Sequence, residues 1–414
     1  MRPTAGAAGS RALPGVLVSE SISTTGSHMT LLALPWLVLE TTESPTQMSL
    51  VVAADVAPVV LLSVPLGAVA GRFGIRATLL IGDVARAVLI VAIALLSTAG
   101  QLPFPLLLIL VFLHGMLWAP YYAAQGALVP HLLGDDERDL TRGIALFQTS
   151  TRLTYFVGPA LGGLLIAAIG PIGVLWIDAA TYLVAFALLA RYLPAESKDV
   201  RRPAAGRVWA GLKLLLVADR FLRGWTAAGA LAQMAFQALV IALPILAFVR
   251  YGQDPAVAGL LVGGWGAGAL LGSLAALRVP QHAPPLVTGT IAWLVQALVL
   301  WLLVVPMPVS AAVAILVVSG LANGLRVPPL RAFVVRRIPD ELRVQTLAAE
   351  TSIPYAAGLL VVLLAGPTAE TFGVTTLLAA CALIATAGAL GFTYIARRHA
   401  TSTAAKYSNG GGSR

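Results

Sequence analysis

Charge is scarce in this chain. Asp, Glu, Lys and Arg make up 11% of its 414 residues, hydrophobic residues 58%, and the mean hydropathy is +0.87. A water-soluble domain carries about 25% charged residues, so there is too little polar surface to cover a globule of this length. The composition is that of a polytopic membrane protein. Cysteine is nearly missing: Cys381 stands alone, which excludes a disulfide within the chain and a cysteine-held metal. The five histidines are scattered without metal-ligand spacing, so no metal and no cofactor is expected. No glycine-rich phosphate loop ending in Gly-Lys-Ser or Gly-Lys-Thr occurs, which leaves ATP-driven pumping without support. No nucleophile, base and orienting group come together, so the chain is not read as an enzyme. The net charge of +9 lies between apolar runs and not in one patch interleaved with aromatics, which argues against nucleic acid as a partner.

What the chain has in abundance is long apolar runs. A spanning helix needs about 20 apolar residues, and twelve runs qualify, at 13–40, 47–70, 76–97, 104–129, 143–167, 172–193, 221–249, 256–276, 285–305, 308–329, 344–366 and 373–396. Nearly all Lys and Arg fall on the segments that this layout puts on one side. Arg86, Arg152 and Arg326 sit within spans, and Arg250 alone lies on the other side. Positive residues stay cytoplasmic, so both termini are expected inside the cell, in a multi-pass protein of the inner or plasma membrane. The polar stretch 194–220 divides six spans from six, giving an N-terminal bundle at 1–193, a cytoplasmic linker, a C-terminal bundle at 221–400 and a flexible tail at 401–414. A shift of 205 residues places Gly67 on Gly272, Gly115 on Gly320 and Asp135 on Asp340, the mark of an internal repeat. The fold class is therefore all-α integral membrane, twelve helices in two pseudo-symmetric six-helix bundles.

The stretch LGAVAGRFGIRATLLIGDVAR, residues 66–86, reads as helix, tight basic turn, helix. Gly67, Arg72, Gly74 and Arg76 fit the signature loop of the major facilitator superfamily of transporters, which the chain resembles over about 13–396. The position of that loop's aspartate is Gly71 here, a departure. In the family the aspartate pairs with a basic residue and holds one conformational state closed. Asp83 and Arg86, three apart on the next helix, can pair, and with Arg72 they are the expected cytoplasmic latch. The fifth span carries Gly158, Pro159, Gly162 and Gly163, which match the end of the motif that marks antiporters in this superfamily, while Thr154 and Ala145 replace its upstream glycines. Pro159 kinks its helix and the glycines permit backbone contact with a neighbour. Gly264, Gly268 and Gly272, every four residues on the eighth span, are the expected facing stripe; ordinary small-residue packing would use the same residues. GPALGGLLIAAIG with IDAATYLVA is similar to the branch with macrolide-efflux and siderophore (enterobactin-type) exporters.

By that resemblance spans 1, 4, 7 and 10 line a central cavity. Span 1 offers Glu20, Thr24 and His28 at intervals of four, span 4 offers His114, Trp118, Tyr121 and Gln125, and span 7 offers Gln233 and Gln237. Aromatic rings with a few hydrogen-bonding groups suit an amphiphilic organic substrate, although each of these residues can equally serve helix packing. Glu20, Asp55, Asp178 and Glu350 lie within spans, where an unpaired charge costs several kcal/mol. Asp178 is read as structural. Asp55 first and Glu20 second are the expected proton-coupling carboxylates, with Glu350 a further candidate, because a buried carboxyl group gives up its charge readily when its surroundings change. Arg152 needs a counter-charge that Glu20 or Asp55 can supply, and Arg326 is expected to reach toward the inner surface. The function expected is a monomeric secondary exporter of amphiphilic drug-like or natural-product molecules driven by protons. An uptake permease or facilitator for a small organic nutrient, or a non-transporting sensor, are the alternatives.

Overall fold

In lipid every backbone N–H and C=O must be satisfied within the protein, which leaves helices as the economical solution for runs this apolar. A computed structural model describes residues 5–133, 137–194, 213–278, 284–339 and 342–410, and outside the short connections the described residues are helical. The side chains at 5–11, 63–72, 137–138, 141, Arg152, 218, several in 343–351 and 400–410 lie outside the described set. The first four helices are α1 (Ala5–Thr42), α2 (Pro45–Phe73), α3 (Ile75–Thr98) and α4 (Phe104–Leu133). A continuous helical stretch follows, Glu137–Tyr192, which breaks at Gly170 with φ 76° and ψ 164°. Its apolar part of 51 residues would reach about 77 Å as one helix, more than twice the roughly 30 Å of hydrocarbon. The break therefore separates two spans, α5 (137–169) and α6 (171–192).

After a short π-helical turn at Leu214–Ala218 come α7 (Arg220–Arg250), α8 (Pro255–Ala276), α9 (Pro285–Leu302), α10 (Val309–Arg337), α11 (Arg343–Phe372) and α12 (Val374–Gly410). Among the described residues eleven helices are long and apolar enough to cross a membrane, the bent one counted once, which accounts for the twelve expected spans. Three of the tight reversals use a left-handed glycine, Gly74 at φ 85°, Gly170 at φ 76° and Gly373 at φ 84°, a backbone region closed to most side chains.

Contacts group the chain into two compact units, Met1–Arg202 with Pro244–Gly263, and Pro203–Leu243 with Gly264–Arg414. The first thus includes the end of α7 and the start of α8 besides α1 to α6. In it, α1 packs along α5 and α6, α4 lies against α2 and α3, and Val16, Leu79, Leu128, Leu132 and Leu189 form an apolar cluster at one end.

In the second unit the glycine stripe of α8 has a different neighbour from the one expected. Gly264, Gly268 and Gly272 face Val313, Val317 and Leu321 of α10, and Gly320 and Gly324 return the contact against Trp265 and Ala269. Residues four apart share one helix face, but periodicity does not say which helix that face meets. α5 instead meets α8 through Gly259 and Gly263.

Asp219 closes the start of α7, accepting from the backbone N–H of Phe221 at 2.7 Å and of Leu222 at 3.1 Å, while Arg337 Nε donates to it at 2.8 Å. Burial pushes its carboxyl group upward, but Arg337 and the two amides outweigh that and hold it below its ordinary value.

Two outcomes follow from this packing. Gly268→Leu places a side chain against the Val317 carbonyl and should lower stability by about 1–3 kcal/mol, whereas Gly391→Ala, with open space around it, should leave the melting temperature of the detergent-purified protein unchanged. A carboxylate held below its ordinary value stabilises above about pH 3.9 and loses that contribution as pH falls through its folded value. Because the Asp219–Arg337 pair is partly exposed, its share is at most about 1 kcal/mol. Melting temperature against pH should therefore fall less steeply on the acid side in Asp219→Asn than in the parent.

Candidate functional site

The polar interior of the first unit is built by five helices. On α3, Gly82 and Arg86 share a face. The Tyr121 ring of α4 packs over Gly82, 3.0 Å from where a Cβ would stand, and so lies under Arg86, whose guanidinium carbon is 3.7 Å from the ring centre. Tyr182 of α6 and Trp118 of α4 approach the same guanidinium at 4.6 and 4.7 Å. Arg86 Nη2 donates to Asp83 Oδ1 at 2.7 Å, and both side chains have 0% exposure. A cation held between rings away from water gains about 2 kcal/mol per good contact, which with Asp83 makes a fully buried arginine tolerable.

Glu20 of α1 is the next group in this interior, 2% exposed. Tyr121 Oη donates to its Oε1 at 2.9 Å and Gln125 Nε2 to its Oε2 at 2.6 Å. Toward the other end, Asp55 of α2 meets His114 of α4, Oδ1 to Nδ1 at 2.9 Å. The α4 backbone can come this close because Gly115 sits directly on the Asp55 carbonyl. His114 Nε2 lies 3.4 Å from the Tyr182 hydroxyl, which is 2.9 Å from Ser27 of α1. Asp178 of α6 is fully buried beside Gly26 and accepts from Thr30 at 2.6 Å and Thr181 at 3.2 Å.

Several expected placements change. The Asp83–Arg86 pair forms, fully buried among the rings of Trp118, Tyr121 and Tyr182; the side chain of Arg72, the third member of the expected latch, is outside the described residues. The side chain of Arg152 is outside them too; among the described residues Asp55 meets His114, and Glu20 meets Tyr121 and Gln125. Tyr121, expected to face a substrate, spends its ring on Arg86 and is 2% exposed. Trp118 is half-buried and stacks on Tyr122 at 5.0 Å. Thr24 is half-buried on α1. The cavity found in the first unit, about 230 Å³, is lined by Trp36, Glu40, Phe248 and Gln253 among others, none of them singled out in the sequence.

The Gly158–Gly163 segment packs as its small residues allow. Gly158 rests on His28 and Gly162 on Met29, both of α1, while Gly163 rests on Gly259 and the Pro255 carbonyl of α8. The His28 ring also packs at 4.0 Å on Tyr155. In the second unit, Gln233 and Gln237 of α7 flank Gly358 of α11, and Glu350 accepts from Trp225 Nε1 at 3.0 Å with Arg331 at 3.9 Å. Arg326 does not reach the surface: it is 6% exposed, over the Trp293 ring at 4.1 Å, and donates to Gln296 at 3.3 Å. The repeat shift of 205 carries Tyr121 onto Arg326. Each unit thus buries an arginine against an aromatic ring between its third and fourth helices, with the cation and ring exchanged.

Residues 16–351 match the Major Facilitator Superfamily. The chain belongs to that superfamily. It is a transporter, not an enzyme, and a multi-pass membrane protein. Among curated relatives it is 26% identical over 380 residues to the multidrug efflux pump Tap of Mycobacterium tuberculosis, covering 89% of each chain. It is 25% identical over 357 residues to the pump of that name in Mycolicibacterium fortuitum, covering 84% of this chain and 87% of the other. Among solved structures it superposes on a bacterial homolog of the lysosomal transporter Spinster with a TM-score of 0.74 at 12% identity, covering 96% of this chain and 98% of that one. At that identity the likeness shows the fold, that of the superfamily transporters.

The tyrosine at the centre is open to test. Tyr121→Phe keeps the ring under Arg86 but removes a donor to buried Glu20, a loss of about 1–3 kcal/mol, and Tyr121→Leu removes the ring as well. Thermal unfolding in detergent should rank parent above Tyr121→Phe above Tyr121→Leu.

Proposed function

We propose that this transporter exports amphiphilic drug-like or natural-product molecules in exchange for protons, by alternating access, from a monomer in the cell membrane with both termini in the cytoplasm. Its partners in this reading are a small amphiphilic substrate, protons and the lipid bilayer. The observation that carries the reading is the polar interior of the first unit, where Glu20, Asp83 and Asp178 are buried, Asp55 is half-buried, Asp83 is paired with Arg86 and Asp55 with His114. Burial disfavours the charged form of a carboxyl group, so a conformational change that alters the surroundings of these acids is a route to proton uptake and release. A purely passive scaffold has no use for that arrangement. The curated relatives at 25–26% identity are named as multidrug efflux pumps, and the Gly158–Gly163 segment resembles the antiporter motif; both support outward movement of substrate.

Coupling is assigned to Asp55 first and Glu20 second. Asp55 Oδ1 meets His114 Nδ1 at 2.9 Å, and Glu20 accepts from two neutral donors, so neither carboxylate has a lysine or arginine hydrogen-bonded to it among the described residues. Substrate that displaces these hydrogen bonds competes with the proton, which links the two movements in opposite directions.

Cells of an efflux-deficient host that make this protein should accumulate less of some compound from a panel of antibiotics, dyes and siderophores. Faster energy-dependent uptake of a nutrient, with no compound reduced, would identify the permease instead. In proteoliposomes, Asp55→Asn and Glu20→Gln should each abolish transport driven by a pH gradient while keeping substrate binding or downhill exchange. If both variants fold and still pump uphill with unaltered pH dependence, neither carboxylate couples.

A further inference from the structure

Arg86 serves two carboxylates. Asp83 Oδ1 takes its Nη2, and Glu20 lies close enough for its charge to act on both Arg86 and Asp83. With both acids ionised, this enclosed group would carry a net negative charge in a low-dielectric interior, an expensive state. A proton on one of the two acids removes it.

Hydrogen bonding decides which acid. Both oxygens of Glu20 already accept, from Tyr121 and from Gln125, and a proton on the amide-bound oxygen would set a donor against a donor. Asp83 is different: its Oδ2 is buried and has no hydrogen-bond partner among the described residues. A proton placed there breaks nothing, and Oδ1 continues to accept from Arg86. A second orphan lies on Arg86, whose Nη1 is buried without an acceptor. The groups that face Asp83 are Arg86 on its own helix, Glu20 of α1, Tyr121 of α4 and Tyr182 of α6, with Asp178 of α6 acting on Arg86. Of these only Arg86 and Glu20 offer a full opposite or like charge at close range.

We propose that Asp83, at Oδ2, is a proton-binding carboxylate of the interior, and that Arg86 shifts its charge pairing from Asp83 to Glu20 when that proton is bound. The incoming proton forms an O–H bond on Asp83; the Asp83–Arg86 attraction falls to an ordinary hydrogen bond, and the free Nη1 of Arg86 has Glu20 as its remaining anion. Loss of the proton reverses this. Proton occupancy on α3 thereby sets how tightly α1 is drawn to it, and α1 is the helix against which the Gly158–Gly163 segment packs. The part of this that concerns transport rests on the antiport reading above. In this proposal Asp83 takes the proton-carrying place that the reading above gives second to Glu20, and Glu20 remains charged and receives Arg86; Asp55 keeps its place there.

Infrared difference spectroscopy of the purified full-length protein during pH steps needs no substrate and reads protonated carboxyl groups directly. The parent should show a titrating carboxyl band that shifts when aspartate alone is labelled with carbon-13, and Asp83→Asn should lose that component. Should Asp83→Asn fail to fold, Asp83→Glu keeps the acid: the corresponding component should then persist but no longer respond to aspartate labelling. A component that stays unchanged in Asp83→Asn, or stays label-sensitive in Asp83→Glu, overturns the proposal even where pH-driven export is measured. Export measured in parent proteoliposomes with and without a pH gradient tests the other part separately. If the gradient makes no difference, the antiport reading and the coupling role of Asp83 fall together, however the band behaves.

Discussion

An arginine side chain inside a spanning bundle costs several kcal/mol unless its charge and its donors are met, and the first unit is arranged around meeting that demand at Arg86. No one partner suffices. Asp83 comes from the same helix, Trp118 and Tyr121 from α4, and Tyr182 from α6. The three rings fix the rotation of α4 and α6 relative to α3, because each must present its face to one point. Tyr121 then has its hydroxyl aimed at Glu20, which ties α1 into the same arrangement.

Short polar side chains can reach one another here because glycine lies beside each contact. Gly82 receives Tyr121, Gly115 receives the Asp55 carbonyl next to the Asp55–His114 pair, Gly26 receives Asp178 and Thr181, and Gly158 receives His28. Without burial of apolar surface to drive helices together in lipid, close backbone approach and hydrogen bonds supply the association. The glycines and the ionisable residues are thus one feature and not two. A larger residue at Gly82 or Gly115 would act on the charged network by distance, not by removing any of its members.

This also explains which parts were legible in the sequence. The twelve spans were, since an apolar run of membrane length has few other uses and Gly170 marks the one unbroken pair. The i, i+3 pairing of Asp83 with Arg86 was legible as well, being local. Tyr182, Ser27 and Thr30 were not singled out, although each helps hold the polar interior: their partners are 68, 155 and 148 residues away in sequence, and nothing in a helical period encodes a neighbour at that range. The glycine stripe of α8 failed for the same reason, its face correct and its neighbour wrong. For Tyr121 and Trp118 the sequence left substrate contact and helix packing equally open, because it does not reveal that an arginine from another helix already covers them.

The Gly158–Gly163 segment shows how a short motif can govern a network it does not touch. Gly158 and Gly162 are four apart and share the face toward α1, while Gly163 is one residue further, about 100° around the helix, and faces α8. One stretch of α5 therefore sets two neighbours at once. On α1 the residues it meets are His28 and Met29, eight and nine residues from Glu20, a little over two turns along the same helix. A small rotation or slide of α5 moves His28, and a rigid helix carries that displacement to Glu20. There the hydrogen bonds from Tyr121 and Gln125 and the pull of Arg86 either hold or yield. The residues that receive Gly158 and Gly162 lie on one helix with the carboxylate, α1, so a substitution in the motif displaces the same element that carries Glu20.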